Sequence, residues 1–144
     1  MSQEPESDQP KGQLLDLEEA IRRKVLSVDS RFEIGAYLFL YEALAFTQNE
    51  LGRDGRELPS EKRHVTGTEL LEGIRKYAST LFGPLAPTVF KSWGIRESSD
   101  FGEIVFNLVE HGLLGKTEED RREDFEGGFD LEKAFEGPYE VKPV

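Results

Sequence analysis

Near neutral pH, only a few of these 144 residues could move a proton or attack a bond. There are two histidines, His64 and His111, and no cysteine. Without cysteine there is no thiol nucleophile, no thiolate metal site and no disulfide. Acid–base chemistry would therefore need a histidine or a carboxylate whose pKa its surroundings have raised. His111 closes the apolar run that begins at Phe101, where an imidazole meets the negative end of a helix. His64 sits beside Arg63 in a polar stretch and reads as a solvated loop residue. Glu42 is the carboxylate most open to perturbation, because it interrupts the apolar run Ile34–Phe46. If it were buried, its charge would need a partner such as Arg31 or Arg75, or its pKa would rise. A pocket made by Glu42, Arg75 and His64 is the form an enzyme would take here.

Other chemistries lack their residues. No Gly-x-Gly-x-x-Gly, Gly-x-x-x-x-Gly-Lys-Ser/Thr or Gly-x-Ser-x-Gly occurs. Glu119/Glu123 and Asp120/Asp124 stand four apart, as helical metal ligands would. Arg121 and Arg122 interleave with them, no histidine follows at ligand spacing, and the EF-hand order is absent. The expectation is a solvated acidic face, with no metal and no cofactor. Leu85–Trp93, Gly94–Ser99 and Asp100–Leu114 read as helix, turn, helix, similar to half of a winged helix. A reading helix needs Arg, Lys, Asn or Gln near its N-terminus. This one offers Asp100 and Glu103, and only Asn107 suits a base edge. Trp93, ending its helix beside Gly94, reads as a core or edge anchor, or as a partner-facing residue if exposed.

The elements that must position these residues follow from capping and periodicity. The fold class expected is all-α, a bundle of five or six helices around a central hydrophobic helix, with a small β-ribbon possible at residues 53–65. Leu14, Leu17, Ile21 and Val25 share one helical stripe, with Asp16 and Glu19 at capping-box spacing. Ser30 and Glu33 are expected to open the second helix, which ends at Gly52. Its run Ile34–Phe46 is apolar nearly all round and so is expected at the centre of the core. Thr66 and Glu69 cap a third helix reaching Leu81, and Pro84 suits the first turn of a fourth ending at Gly94. Asp100 and Glu103 are expected to cap a fifth, which ends at Gly112. Thr117 would cap a short acidic helix over residues 118–125, and Phe129 to Phe135 would dock last. Residues 1–13 read as a disordered acidic leader, 14–136 as one domain and 137–144 as an extended tail.

His64-Val65-Thr66-Gly67, Glu69 to Arg75, Phe82-Gly83-Pro84, Trp93-Gly94-Ile95, Asp100 to Asn107, and Lys116 to Asp120 followed by Asp124-Phe125 form a set of blocks. Over about residues 16–136 they resemble a family of small uncharacterised bacterial proteins, the Minf type. The resemblance implies a bacterial cytoplasmic protein and supplies no activity, cofactor or catalytic residue. Of its polar positions, Thr66, Glu69, Asp100 and Glu103 have capping explanations, whereas His64, Arg75 and Asn107 do not.

Charge narrows the partners. The chain carries a net −11. Residues 117–144 hold ten acidic residues against four basic ones. Such a field repels phosphate backbones and anionic lipid. The apolar run Ile34–Phe46 is too short to span a bilayer. The expected function is therefore a non-catalytic module that binds another protein, with Phe125, Phe129 and Phe135 offered in acidic surroundings to a basic partner. The alternatives are a nucleic-acid- or ribosome-associated protein, using the helix-turn-helix-like pair and the basic loop Arg53–His64, and a small enzyme with the Glu42/Arg75/His64 pocket.

Overall fold

Helical periodicity becomes helix throughout the described part of the chain. A computed structural model describes residues 10–53, 64–115 and 122–136. The α-helices are α1 (Pro10–Ile21), α2 (Ile34–Glu50), α3 (Gly67–Phe82), α4 (Ala86–Ser92) and α5 (Ser99–Glu110). A π-helical turn, Arg22–Leu26, continues α1, and 3-10 turns occur at Gly83–Leu85, Arg122–Phe125 and Lys133–Phe135. No strand occurs among the described residues. The ribbon expected at residues 53–65 falls mainly on 54–63, outside the described residues, as do 118–121 of the expected acidic helix and the tail 137–144.

Local chemistry explains most helix ends and corrects three of them. Thr66 caps α3 as expected. Its hydroxyl accepts from Glu69 N at 3.1 Å, and the Glu69 carboxylate accepts from Thr66 N at 3.0 Å. Gly52 and Gly112, with φ of 70° and 74°, turn the chain out of α2 and α5 as expected. Ser30 does not cap α2. The cap position is Glu33, extended at φ −75° and ψ 161°, so the helix starts at Ile34. Asp16 does not open α1, which already runs from Pro10, inside the stretch read as leader. Asp100 lies in the first turn of α5, where its Oδ2 accepts from Arg96 N and Glu97 N at 2.8 and 3.1 Å. It thus serves the preceding loop rather than the helix end.

The core is built around α2, which packs mainly on α3 and also on α5 and α1. Tyr37, Leu40, Ile74, Phe90, Phe101, Ile104 and Leu108 are fully buried. Gly73 lets α2 and α3 approach closely, because a Cβ there would lie 1.7 Å from Thr47 Oγ1. Ile34–Phe46 lies at the centre of the core as expected, yet one side of it is left uncovered. Glu42 and Ala45 are exposed, and Ile34, Leu38, Tyr41, Leu44 and Phe46 are half-buried. An all-round apolar pattern fixes no direction for burial, so neighbouring helices cover the faces they reach.

Candidate functional site

Asn107 anchors the densest polar cluster among the described residues. Helix α5 points its amide inward, where Nδ2 donates to Asp29 Oδ2 at 3.1 Å and to the Tyr37 hydroxyl at 3.0 Å. Asp29 lies in the α1–α2 connection, and Arg31 Nε and Nη2 also donate to its carboxylate, at 3.0 and 2.7 Å. Arg31 Nη2 reaches Glu103 on α5 at 3.3 Å, and its guanidinium lies over the Phe32 ring. The Arg31 bonds hold the Asp29 carboxyl well below the usual carboxylate range, and Asp29 in turn raises Arg31. Burial raises the Tyr37 phenol. Chemically, the arrangement is a saturated clamp. It ties the α1–α2 connection to α5, and both Asn107 amide hydrogens are used inside it. His111 Nδ1 lies 2.8 Å from Asn107 O, so the imidazole satisfies a carbonyl of the last turn, the role expected of it.

The remaining expected site residues are distributed among other contacts. Glu42 is exposed, not buried, and its Oε1 accepts from the Tyr77 hydroxyl across the α2–α3 seam at 3.0 Å. Burial, then the Glu42 carboxylate, raise the Tyr77 phenol. Arg75 pairs with Glu72 one turn away on α3 and holds that carboxyl below its ordinary value. His64 gives its carbonyl to Arg53 Nη1 at 3.1 Å. The Arg53 guanidinium also pairs with the capping residue Glu69 at 2.7 Å and lowers its pKa. The cation of the basic loop that the structure describes is thus tied to the start of α3. Among the described residues, no group of three or more His, Asp or Glu is disposed to hold a metal.

Trp93 is a half-buried anchor, with ring centroids 5.6 Å from Phe39 and 6.2 Å from both Phe82 and Phe90. It lies against Gly35, where a Cβ would come within 2.5 Å of its Nε1. Around it a row of aromatic rings runs along the α2–α3 seam. Phe46 stacks on Tyr77 at 5.1 Å, Tyr77 on Phe39 at 5.7 Å, and Phe39 on Phe82 at 6.0 Å. Except for Phe39 these rings are only partly buried. At the end of the row lies the corner Leu81-Phe82-Gly83-Pro84-Leu85, in which no residue is buried and Leu81 and Leu85 are 48% and 65% exposed.

Phe125, Phe129 and Phe135 do not face outward. Phe125 and Phe135 are 3% and 1% exposed, and Phe129 is half-buried between Phe101 and Phe135. An acidic neighbourhood in sequence concealed that Phe125, Leu131 and Phe135 turn inward. Ser98, 2% exposed, holds the segment, since its hydroxyl donates to Phe125 O at 2.7 Å and accepts from Gly128 N at 3.0 Å. Beside it, Arg96–Ser99 and Glu126–Glu132 border an open cleft of about 600 Å³. The Asp29 clamp and the Ser98 anchor both escaped sequence reasoning. Only Asn107, a polar residue in an otherwise apolar stripe with no capping role, pointed to the first.

Comparison with protein-family models, with curated proteins and with solved structures found no match. Among the described residues, no helix is long and apolar enough to cross a membrane.

Proposed function

We propose that the chain is a non-catalytic protein-interaction module whose contact surface is the Leu81–Leu85 corner with the aromatic row behind it. The observation that carries this reading is the exposure of Leu81 and Leu85, 48% and 65%, in continuity with the half-open rings of Phe82 and Trp93. Contiguous apolar surface of this kind marks association sites, and aromatic anchors dominate them. The contact surface thus shifts from the buried C-terminal phenylalanines to this corner. The same proposal carries the Minf-type bacterial likeness, a cytoplasmic setting and a bundle of five to six helices around α2.

Two alternatives have less support. A nucleic-acid- or ribosome-binding α5 would need Asn107, whose amide is spent inside the fold, and would present Asp100, Glu103 and Glu110 to phosphates. An enzyme built on Glu42, Arg75 and His64 would need a shared pocket, whereas Glu42 is exposed and bonded to Tyr77, and Arg75 is paired with Glu72. The test is affinity purification from the native host with the wild type and L81S/L85S, both shown to be folded by circular dichroism. A stoichiometric partner is expected with the wild type and lost with the variant. No such partner, or one that the variant retains, overturns the reading.

A further inference from the structure

Glu42 is an exposed carboxylate set into the aromatic seam between α2 and α3. Its Oε1 accepts from the Tyr77 hydroxyl at 3.0 Å, and the Tyr77 ring centroid lies 5.1 Å from that of Phe46. Glu42 and Phe46 stand one turn apart on α2, and Tyr77 and Leu81 one turn apart on α3. Each pair therefore shares a helical face, with Cβ atoms about 5–6 Å apart. Through Tyr77 the carboxylate thus joins the half-buried rings of the seam to the exposed Leu81 at its end.

Other carboxylates on these two helices have counter-ions. Glu72 pairs with Arg75, Glu69 with Arg53, and Glu50 faces Lys76 at 3.9 Å. Among the described residues, no Lys, Arg or His forms an ion pair with Glu42. The Tyr77 hydroxyl is neutral and takes one acceptor site, so the charge and further acceptor sites remain for another group. Rings beside a carboxylate displace water that would screen it, so a cation is held there more strongly than at an open surface. The chain itself shows which cation suits such a place. Arg31 lies 5.1 Å over the Phe32 ring while its Nη2 donates to Asp29 Oδ2 at 2.7 Å. A planar guanidinium can lie flat on a ring and aim its N–H fork at a carboxylate, which an ammonium cannot do.

We propose that the seam takes an arginine side chain of a partner protein, its guanidinium stacked against the Tyr77–Phe46 pair and donating to Glu42, while apolar residues beside that arginine cover Leu81 and Leu85. The inference rests on the reading of the Leu81–Leu85 corner as a contact surface and supplies the partner's chemistry there, an arginine flanked by apolar side chains. Charge complementarity selects this occupant. A carboxylate without a counter-ion stands among aromatic faces, in a chain whose net charge of −11 draws cationic segments toward it.

The test follows the full chain by heteronuclear NMR as the peptide acetyl-Leu-Arg-Leu-amide, or its lysine counterpart, is titrated in. E42Q keeps an acceptor for the Tyr77 hydroxyl and removes only the charge, and position 42 is exposed, so the variant folds as the wild type does. The arginine peptide is expected to shift the Tyr77 and Phe46 ring signals saturably and to bind E42Q about fivefold more weakly than the wild type. The lysine peptide, compared on the wild type alone, is expected to bind more weakly than the arginine one, and L81S/L85S is expected to weaken both. The proposal is overturned if neither ring signal shifts saturably, if E42Q binds as the wild type does, or if the lysine peptide binds as tightly as the arginine peptide. Binding that L81S/L85S loses and E42Q retains overturns the arginine site and leaves the corner as a contact surface. Binding that E42Q loses and L81S/L85S retains overturns the corner's part and leaves the arginine site.

Discussion

Replacing Gly73 with alanine sets two known effects against each other and lets the structure decide the sign. Gly73 lies in the interior of α3, where alanine is favoured over glycine by about 1 kcal/mol on intrinsic propensity. Judged by sequence alone, G73A should stabilise. In the fold, the added methyl would stand 1.7 Å from Thr47 Oγ1 and 2.8 Å from Thr47 Cβ. Thr47 is 3% exposed, and its hydroxyl is committed to Ala43 O at 2.7 Å. These are atoms close to a buried backbone, not the loose end of a long side chain, so α2 and α3 must separate. Overpacking of this kind costs about 1–3 kcal/mol, and so short a contact belongs at the upper end. The net expectation is a loss of about 1–2 kcal/mol, which for a chain of this size lowers Tm by roughly 3 to 8 °C. Removing the hydroxyl and methyl in T47A/G73A should recover much of that, giving a favourable coupling of about 1 kcal/mol in a double-mutant cycle. Urea titration of the four proteins measures it. If G73A proved as stable as the wild type, the close seam between α2 and α3 would be refuted, and the aromatic row along it with it.

Two further outcomes follow from the clamp and the tryptophan. Asp29 has a folded-state pKa below its ordinary 3.8, so its contribution is fully present above that value and is lost as pH falls through the folded one. The urea midpoint of the wild type should therefore exceed that of D29N at pH 7, and the gap should shrink between about pH 5 and 2; parallel profiles would show that the clamp carries no stability. The chain has one tryptophan, Trp93, and G35A would place a methyl 2.5 Å from its Nε1. Since the ring is half-exposed it can swing outward, so the expected result is red-shifted emission with a net stability change below about 1 kcal/mol. Unchanged emission would contradict the packing of Trp93 on α2.

The sequence shows clearly what is settled within a few residues of itself. The Thr66–Glu69 box, the glycine ends at Gly52 and Gly112 and the helical stripes of α3 and α5 all depend on such local chemistry, and all are found. Ser30 has the same spacing to Glu33 as Thr66 has to Glu69, yet it caps nothing, because Asp29 and Arg31 beside it are recruited by α5. The failure at Glu42 has a similar origin. A charge among apolar residues reveals its own cost but not whether a neighbouring helix will cover it. The clamp joins Asp29 to Asn107, and the anchor joins Ser98 to Phe125 and Gly128. Contacts across such separations leave no periodic trace, and acidic neighbours made the inward-facing phenylalanines look like surface.

The π turn Arg22–Leu26 at the end of α1 bears on how this chain tolerates a change of length. Such a turn is in effect an α-helix holding one surplus residue. Here its fourth residue, Val25, is fully buried, and Ser27 Oγ donates back to Arg23 O at 2.7 Å. Loss of a single position from this stretch could be absorbed by the wide turn tightening to an ordinary one, leaving Ile21 on one side and Phe32 on the other in register with the core. Elsewhere in a helix, the same loss would rotate every following side chain by about 100°. Among the described helices, this five-residue turn is therefore a place where a homologue one residue shorter would keep the same interior.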